Sequence, residues 1–356
     1  MEYMSARDAA EKWGITQRRV SILCSENRVE GADRVGNMWI IPKTAEKPID
    51  GRKTRYKKEN SMIAKPFVKW AGGKGQLLSD IRKTYPKELG KTTTKYAEPF
   101  VGGGAVLFDI LNTYPTIKEV YISDINAELI NCYTTIRDGI EQLIQRLVIL
   151  KDEFTTSGNQ KEYYMAKRKE FNSLKVNGDK EENLEKAALF IFLNKTCFNG
   201  LYRVNRKGEY NVPMGAYKNP AICDEVNLRN VSDRLQKVTI ICGDYKASEK
   251  FIDENTFVYF DPPYRPLNDT ASFTSYAEGG FTDENQAELA SYVRELSRKG
   301  AKIVLSNSDP KNVNENDNFF DELYAAFAIS RITATRMINS KAAARGKISE
   351  LLIESY

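Results

Sequence analysis

An apolar run, Phe257-Val258-Tyr259-Phe260, ends in Asp261-Pro262-Pro263-Tyr264. A buried strand ordinarily stops at a glycine, asparagine or serine turn, so an acid followed by two prolines and a tyrosine asks for a chemical reason. Proline fixes φ near −65° and donates no hydrogen bond, so the pair makes a stiff stop. The carbonyls of Asp261 and Pro262 and the Asp261 carboxylate are then acceptors held on rigid backbone, and Tyr264 adds a flat ring. Acceptors beside an aromatic face suit a planar group that carries an NH2, such as an adenine turned out of its stack. Tyr264 can also be read as a core tyrosine.

Two further stretches could serve a ligand. In "YAEPFVGGGAVLFDIL" a strand, a turn at Gly102-Gly103-Gly104 and a helix follow one another. Glycines there let the backbone approach a ligand, or simply close a tight turn. The next strand, "VYISDIN", ends in Asp124, 20 residues beyond Gly104. An acid there can accept from ribose hydroxyls, the adenosine-binding geometry of doubly wound sheets, although the spacing is not the G-x-G-x-x-G of dinucleotide binders. Upstream, "FVKWAGGKGQLL" sets Trp70 and Lys74 before a helix without the P-loop spacing. An ordinary buried tryptophan and a helix-start lysine are the other reading there.

Composition narrows the chemistry. The 356 residues contain no histidine, which removes histidine-based triads and histidine-ligated metals; no metal is expected. The five cysteines are scattered without a CxxC pair, so neither a zinc knuckle nor a disulfide framework is indicated. There is no apolar run of membrane-spanning length and no signal-peptide pattern, so the cytoplasm is the expected location. The formal net charge is +5, of which residues 1–60 supply +4. "GRKTRYKKE" packs five basic residues into nine, either to meet a polyanion or as a solvated linker.

These residues need elements to hold them. Residues 1–50 read as a small separate unit. Ser5 and Asp8 form a capping box for a helix through Lys12, Gly14 breaks it, and Thr16 caps a second helix. A hairpin turning at Gly36-Asn37 follows. This is a winged helix-turn-helix pattern, resembling small excisionase/MerR-like DNA-binding domains; Gln17, Arg18 and Arg19 then open the recognition helix. A protein-docking module is the other reading. Residues 51–62 form a basic linker. Beyond it, apolar strands ("KYAEPF", "EVYIS", "VTIIC", "FVYFD", "AKIVLS", "ELLIESY") alternate with amphipathic helices at 76–84, 105–112, 127–138, 140–154, 161–174, 184–194 and 284–299, which suggests a parallel α/β sheet. Residues 155–235 interrupt the alternation with "CFNGLYRVNRKGEYNVPMG", an inserted substrate-reading segment.

Taken in order, "KWAGGK", "EPFVGGG", "SDIN", "CFNGLYRVN" and "DPPY" resemble the Dam-type DNA adenine-N6 methyltransferases over residues 64–356. The resemblance implies a Rossmann-like α/β fold with a cofactor part at 63–154, a helical and hairpin target-recognition domain at 155–235 and a catalytic part at 236–356. It implies S-adenosyl-L-methionine as methyl donor, contacted by Trp70, Lys74, Phe100, Gly102, Asp124 and Asp261. Asp261, Pro262 and Tyr264 are the implied catalytic group. Lys69, Phe198, Asn199, Leu201, Arg203 and Pro213 are the implied DNA-reading set, Arg203 as the base-reading arginine, and GATC is the first expectation for the site. Double-stranded DNA is the expected partner of an expected monomer, and a cognate restriction endonuclease is left open. Residues 1–62 are an addition to the family pattern, and Tyr202 stands at a hairpin position that varies within it. Methylation of RNA, of a protein amide or of cytosine N4 remains an alternative, as does a DNA-binding regulator with an inert methyltransferase core.

Overall fold

The computed structural model describes residues 2–26, 28–36, 38–48, 62–265, 281–335 and 347–356. Asn37 and nearly all of the basic linker lie outside them. The chain folds as two units, Met1–Met62 and Ile63–Tyr356.

In the first unit, β1 (Tyr3–Ser5) leads into the helix Ala6–Trp13, whose capping box joins Ser5 and Asp8. Gly14 ends that helix at φ 62°, a left-handed cap that glycine adopts without strain. Thr16 caps the helix Gln17–Ser25. Strands β2 (Asp33–Val35) and β3 (Met38–Pro42) form the expected hairpin. Strand β1 is not among the expected elements. It pairs antiparallel with β3 and completes a three-stranded sheet in the order β1-β3-β2. Three residues are too short to show a period. Ala9, Trp13, Val20, Leu23, Cys24 and Ile41 make this unit's own core.

The second unit is built on a seven-stranded sheet: β4 (Lys95–Glu98), β5 (Glu119–Asp124), β6 (Val238–Cys242), β7 (Thr256–Phe260), β8 (Lys302–Ser308), β9 (Ala328–Thr335) and β10 (Lys347–Glu354). The order is β6-β5-β4-β7-β8-β10-β9. The first five strands run parallel, as expected, whereas β10 is antiparallel to both β8 and β9. The all-parallel expectation is therefore corrected at one edge. The β9 stretch "AISRITAT", with Ser, Arg and Thr between its apolar residues, carries too few apolar positions to be read as a buried strand. Strand β7 is buried on both faces, which is why its sequence is an unbroken apolar run. Alternate residues feed separate cores: Phe257 and Tyr259 one, Val258 and Phe260 the other.

The order reverses between β4 and β7, and in open sheets of this kind ligands bind outside the strand carboxyl ends at such a point. Helices Ala105–Thr113, Ala127–Asp138, Ile140–Thr156, Gln160–Ser173 and Lys180–Thr196 put their buried residues into the first core. The last is buried on nearly every side from Lys186 to Asn194, the pattern of a central helix. Full burial of each large side chain there, such as Phe192, contributes about 2–3 kcal/mol. The helix Glu225–Leu235 has no counterpart among the expected elements, and the expected helix at 76–84 is three short pieces, Lys74–Gln76, Leu78–Ile81 and Arg82–Thr84. Helix Asp283–Arg298 covers the opposite face of the sheet.

Candidate active site

Asp261 follows the last residue of β7, at the reversal point. Its Oδ1 meets the Lys74 ammonium at 2.8 Å and accepts the Ser306 hydroxyl at 2.9 Å. Ser306 in turn accepts from Tyr259 at 3.0 Å. Burial pushes the Asp261 carboxyl above its usual range, and the Lys74 charge and the Ser306 hydrogen bond pull it back. Lys74 is only 4% exposed; its ammonium also donates to the Gly72 carbonyl at 2.6 Å and lies 4.5 Å above the Tyr264 ring. The Tyr264 hydroxyl donates to Glu350 at 2.7 Å, so β10 holds the ring in place.

The loop itself is anchored. Buried Gln286 donates to the Pro263 carbonyl at 3.0 Å and accepts from Asn307 at 3.1 Å, while Asn307 accepts the Arg265 N–H. The Arg265 guanidinium pairs with Asp283 and Asp317. Pro262 is buried and Pro263 exposed.

Beside this acid lies the glycine turn at the end of β4. The Gly102 N–H donates to Asp124 at 3.1 Å, and Asp124 also takes the Asn126 N–H at 2.9 Å, so the two strand ends are tied through one carboxylate. Burial raises the Asp124 carboxyl against those backbone hydrogen bonds. Gly102 stands at φ 47°, and a Cβ there would come within 2.8 Å of the Trp70 ring. Trp70 stacks on Tyr202 at 5.6 Å and on Phe190 at 6.4 Å. Phe100 stacks on Tyr245 at 5.4 Å. Glu98, which is not among the expected site residues, is buried at the end of β4 and accepts from Tyr96 at 2.6 Å. Its carboxyl is held well above the usual range by burial first, with the Asp261 charge adding to it. A lone acid closing the apolar strand "KYAEPF" was the available signal.

The inserted segment brings a second group together. Its hairpin pairs Cys197 with Met214 and Val204 with Tyr210. Phe198, 53% exposed, donates its N–H to the Pro213 carbonyl at 2.9 Å, and Pro213 is itself exposed. Asn199 turns the chain at φ 56°, the one non-glycine among the described residues with positive φ. Gly200 packs on the Lys69 side chain so closely that a Cβ would overlap it. The Lys69 ammonium lies 4.7 Å above the Tyr217 ring. Buried Asn194 holds both backbone groups of Lys69, at 2.8 Å each, and the Gly200 carbonyl at 3.0 Å. Arg203 is exposed, with its Nε on Asn211 at 2.7 Å. Leu201 packs against the core, and its carbonyl accepts from Tyr210. Asn194, Tyr202 and Tyr217 are not among the expected site residues; a lone polar residue in the apolar run "LFIFLNK" marks the first. In the other unit, Gln17 and Arg18 are exposed and Arg19 half-buried at the start of their helix.

A family model for the D12 class of N6 adenine-specific DNA methyltransferases matches residues 70–338. The chain belongs to this family. A type II methyltransferase of Methanocaldococcus jannaschii, M.MjaIII, is 50% identical over 299 residues, 83% of this chain and all of that protein. The type II methyltransferase M1.LlaDCHI of Lactococcus lactis subsp. cremoris is 39% identical over 84% of this chain and 98% of its own. The DNA adenine methylase of Escherichia coli K12 is 35% identical over 80% of this chain and 93% of its own. The protein is therefore an adenine-specific DNA methyltransferase, and its family implies S-adenosyl-L-methionine as donor. The residues at the reversal point fit that group: a glycine turn with no room for a Cβ, an acceptor at Asp124 and the Phe100–Tyr245 aromatic pair. Among the described residues no helix is long and apolar enough to cross a membrane.

Proposed function

We propose that this methyltransferase modifies an adenine turned out of duplex DNA at a short sequence, GATC being the first candidate, with Asp261, Pro262 and Tyr264 as the catalytic group. The observation that carries the reading is the placement of the Asp261 carboxylate at the reversal point, beside the Gly102 turn. When bound, S-adenosyl-L-methionine supplies an electrophilic methyl group. Trp70, Lys74, Phe100, Gly102, Asp124 and Asp261 would hold it, with Asp124 as the acceptor for the ribose hydroxyls.

The adenine amine is a poor nucleophile because its lone pair is delocalised into the ring. Hydrogen bonds donated to the Asp261 carboxylate and the Pro262 carbonyl localise that pair and aim it. Lys74 favours the ionised form of Asp261 against burial and holds it in place, and Tyr264 offers a ring face for stacking the base. Catalysis is then mostly proximity and electrostatic orientation. Asp261 need not be a strong base, because the amine loses its proton after the methyl group arrives.

Lys69, Phe198, Asn199, Leu201, Arg203 and Pro213 read the duplex, Leu201 by shaping the turn from beneath. The first unit, read as a winged helix-turn-helix domain, adds flanking DNA affinity through Gln17, Arg18 and Arg19 together with the basic linker. We take the enzyme to be a cytoplasmic monomer with a restriction endonuclease of the same specificity as candidate partner; two relatives are named type II methyltransferases.

The test is methylation sequencing of unmethylated genomic DNA incubated with the protein and S-adenosyl-L-methionine, beside an Asp261→Ala control. N6-methyladenine in one short motif, absent from the control, is expected. Marks that persist with Asp261→Ala would overturn the catalytic assignment, and a motif other than GATC would overturn that expectation alone. Deleting residues 1–60 is expected to weaken DNA binding and its salt dependence while leaving the motif unchanged. Unchanged affinity would remove the first unit from DNA binding.

A further inference from the structure

Tyr202 directly precedes Arg203 in the recognition hairpin, yet its side chain belongs to the cofactor side of the molecule. Its ring lies 5.6 Å from Trp70 at an interplanar angle of 25°, and 5.4 Å from Phe190. Trp70 occupies the space that a Cβ at Gly102 or Gly103 would need. The Tyr202 hydroxyl donates to Glu128 at 2.6 Å. Glu128 stands just beyond Asp124, in the first turn of the helix Ala127–Asp138. Glu128 is itself pinned by Lys186, 3% exposed, whose ammonium sits 2.7 Å from its other oxygen. That ammonium also donates to the carbonyls of Phe171 and Leu174, so this end of the network is fixed.

One side chain therefore joins Trp70 to the helix that follows Asp124, while its neighbour in sequence, Arg203, is exposed. We propose that Tyr202 is a positioning residue that couples DNA reading to cofactor binding. Seating of the hairpin on DNA changes the stack on Trp70 and the bond to Glu128, and a bound cofactor fixes the same contacts from the other side. Coupling of this kind is reciprocal: the cofactor tightens DNA binding by the same factor as DNA tightens cofactor binding. The inference rests on the reading of Trp70, Asp124 and Arg203 given above.

The experiment measures four dissociation constants on the full chain: S-adenosylhomocysteine with and without a duplex carrying the methylated motif, and that duplex with and without S-adenosylhomocysteine. The wild type is expected to show one coupling factor from both directions, within the usual range of about 5- to 150-fold. Tyr202→Phe keeps the ring and loses the Glu128 bond, so its factor falls part of the way. Tyr202→Leu loses both contacts, and its factor falls below about 2-fold. The coupling factor is a ratio of two constants measured on the same variant, so it is read whatever the change in the separate affinities, and a thermal unfolding transition for each variant establishes that it folds. A wild-type factor near one, or an unchanged factor in Tyr202→Leu, overturns the proposal. Asp124→Ala and Arg203→Ala test the underlying reading separately, by loss of binary cofactor affinity in the first and of binary DNA affinity in the second.

Discussion

Replacing Asn194 with alanine tests whether the Phe198–Gly200 turn is held by a buried amide. The Asn194 side chain is 3% exposed and makes three hydrogen bonds: it accepts from the Lys69 N–H and donates to the carbonyls of Lys69 and Gly200. Each such bond contributes about 1 kcal/mol net, and a buried group left unpaired costs about 1–3 kcal/mol. Lys69 is exposed, so water takes over its two groups at the lower figure, while the buried Gly200 carbonyl loses nearer 2 kcal/mol. The sum is about 4 kcal/mol, which for a unit of this size lowers the midpoint of thermal unfolding by about 10 °C. Asn194→Asp sharpens the test. It keeps an acceptor for the Lys69 N–H but sets a carboxylate against two carbonyls, so it is expected to be at least as damaging as alanine. Thermal unfolding should be read alongside methylation of the cognate motif and of the same motif with one base changed. Discrimination between the two should fall, because Lys69 and the Phe198–Gly200 turn share this single clamp. A stability loss below about 1 kcal/mol, or Asn194→Asp behaving as wild type, would refute the reasoning.

The remaining expectations concern the reacting groups. Because burial raises the Asp261 carboxyl and Lys74 opposes that, the methylation rate should fall as the pH drops through the Asp261 pKa, where the acceptor becomes protonated. Lys74→Met should move this acidic limb to higher pH; a pH–rate profile with an unmoved limb would show that Lys74 does not govern Asp261. Gly102→Ala must place a Cβ 2.8 Å from Trp70 at φ 47°. The left-handed backbone costs about 1–2 kcal/mol and the overlap about 1–3 kcal/mol. Thermal or denaturant unfolding should therefore show a stability loss of about 2–5 kcal/mol, with Trp70 fluorescence altered, and calorimetry should show weakened cofactor binding because Trp70 is displaced. Tyr264→Phe should lose only the Glu350 bond, a rate effect under about 10-fold, whereas Tyr264→Ala, which removes the ring, should lower kcat far more than the cofactor KM; equal losses in the two variants would assign the role to the hydroxyl.

Local chemistry in the sequence determined a great deal here. Ser5, Gly14 and Thr16 are cap residues whose side chains or φ preference act within a few positions, so the helix ends they set were legible. Strand β7 was legible because a strand buried on both faces must be apolar throughout. The ordered motifs carried the family, which the comparisons bear out. The tertiary structure alone decided the direction of β10, since strand polarity depends on which neighbour it meets and not on its own residues. It alone set Lys74 against Asp261 across 187 positions of chain. It also gave Tyr202 its place between the hairpin, Trp70 and Glu128. A phenol next to an arginine reads as one more hairpin residue until Glu128, 74 positions away, is folded against it. Long-range pairs of this sort are made by packing, and packing leaves no period in the sequence.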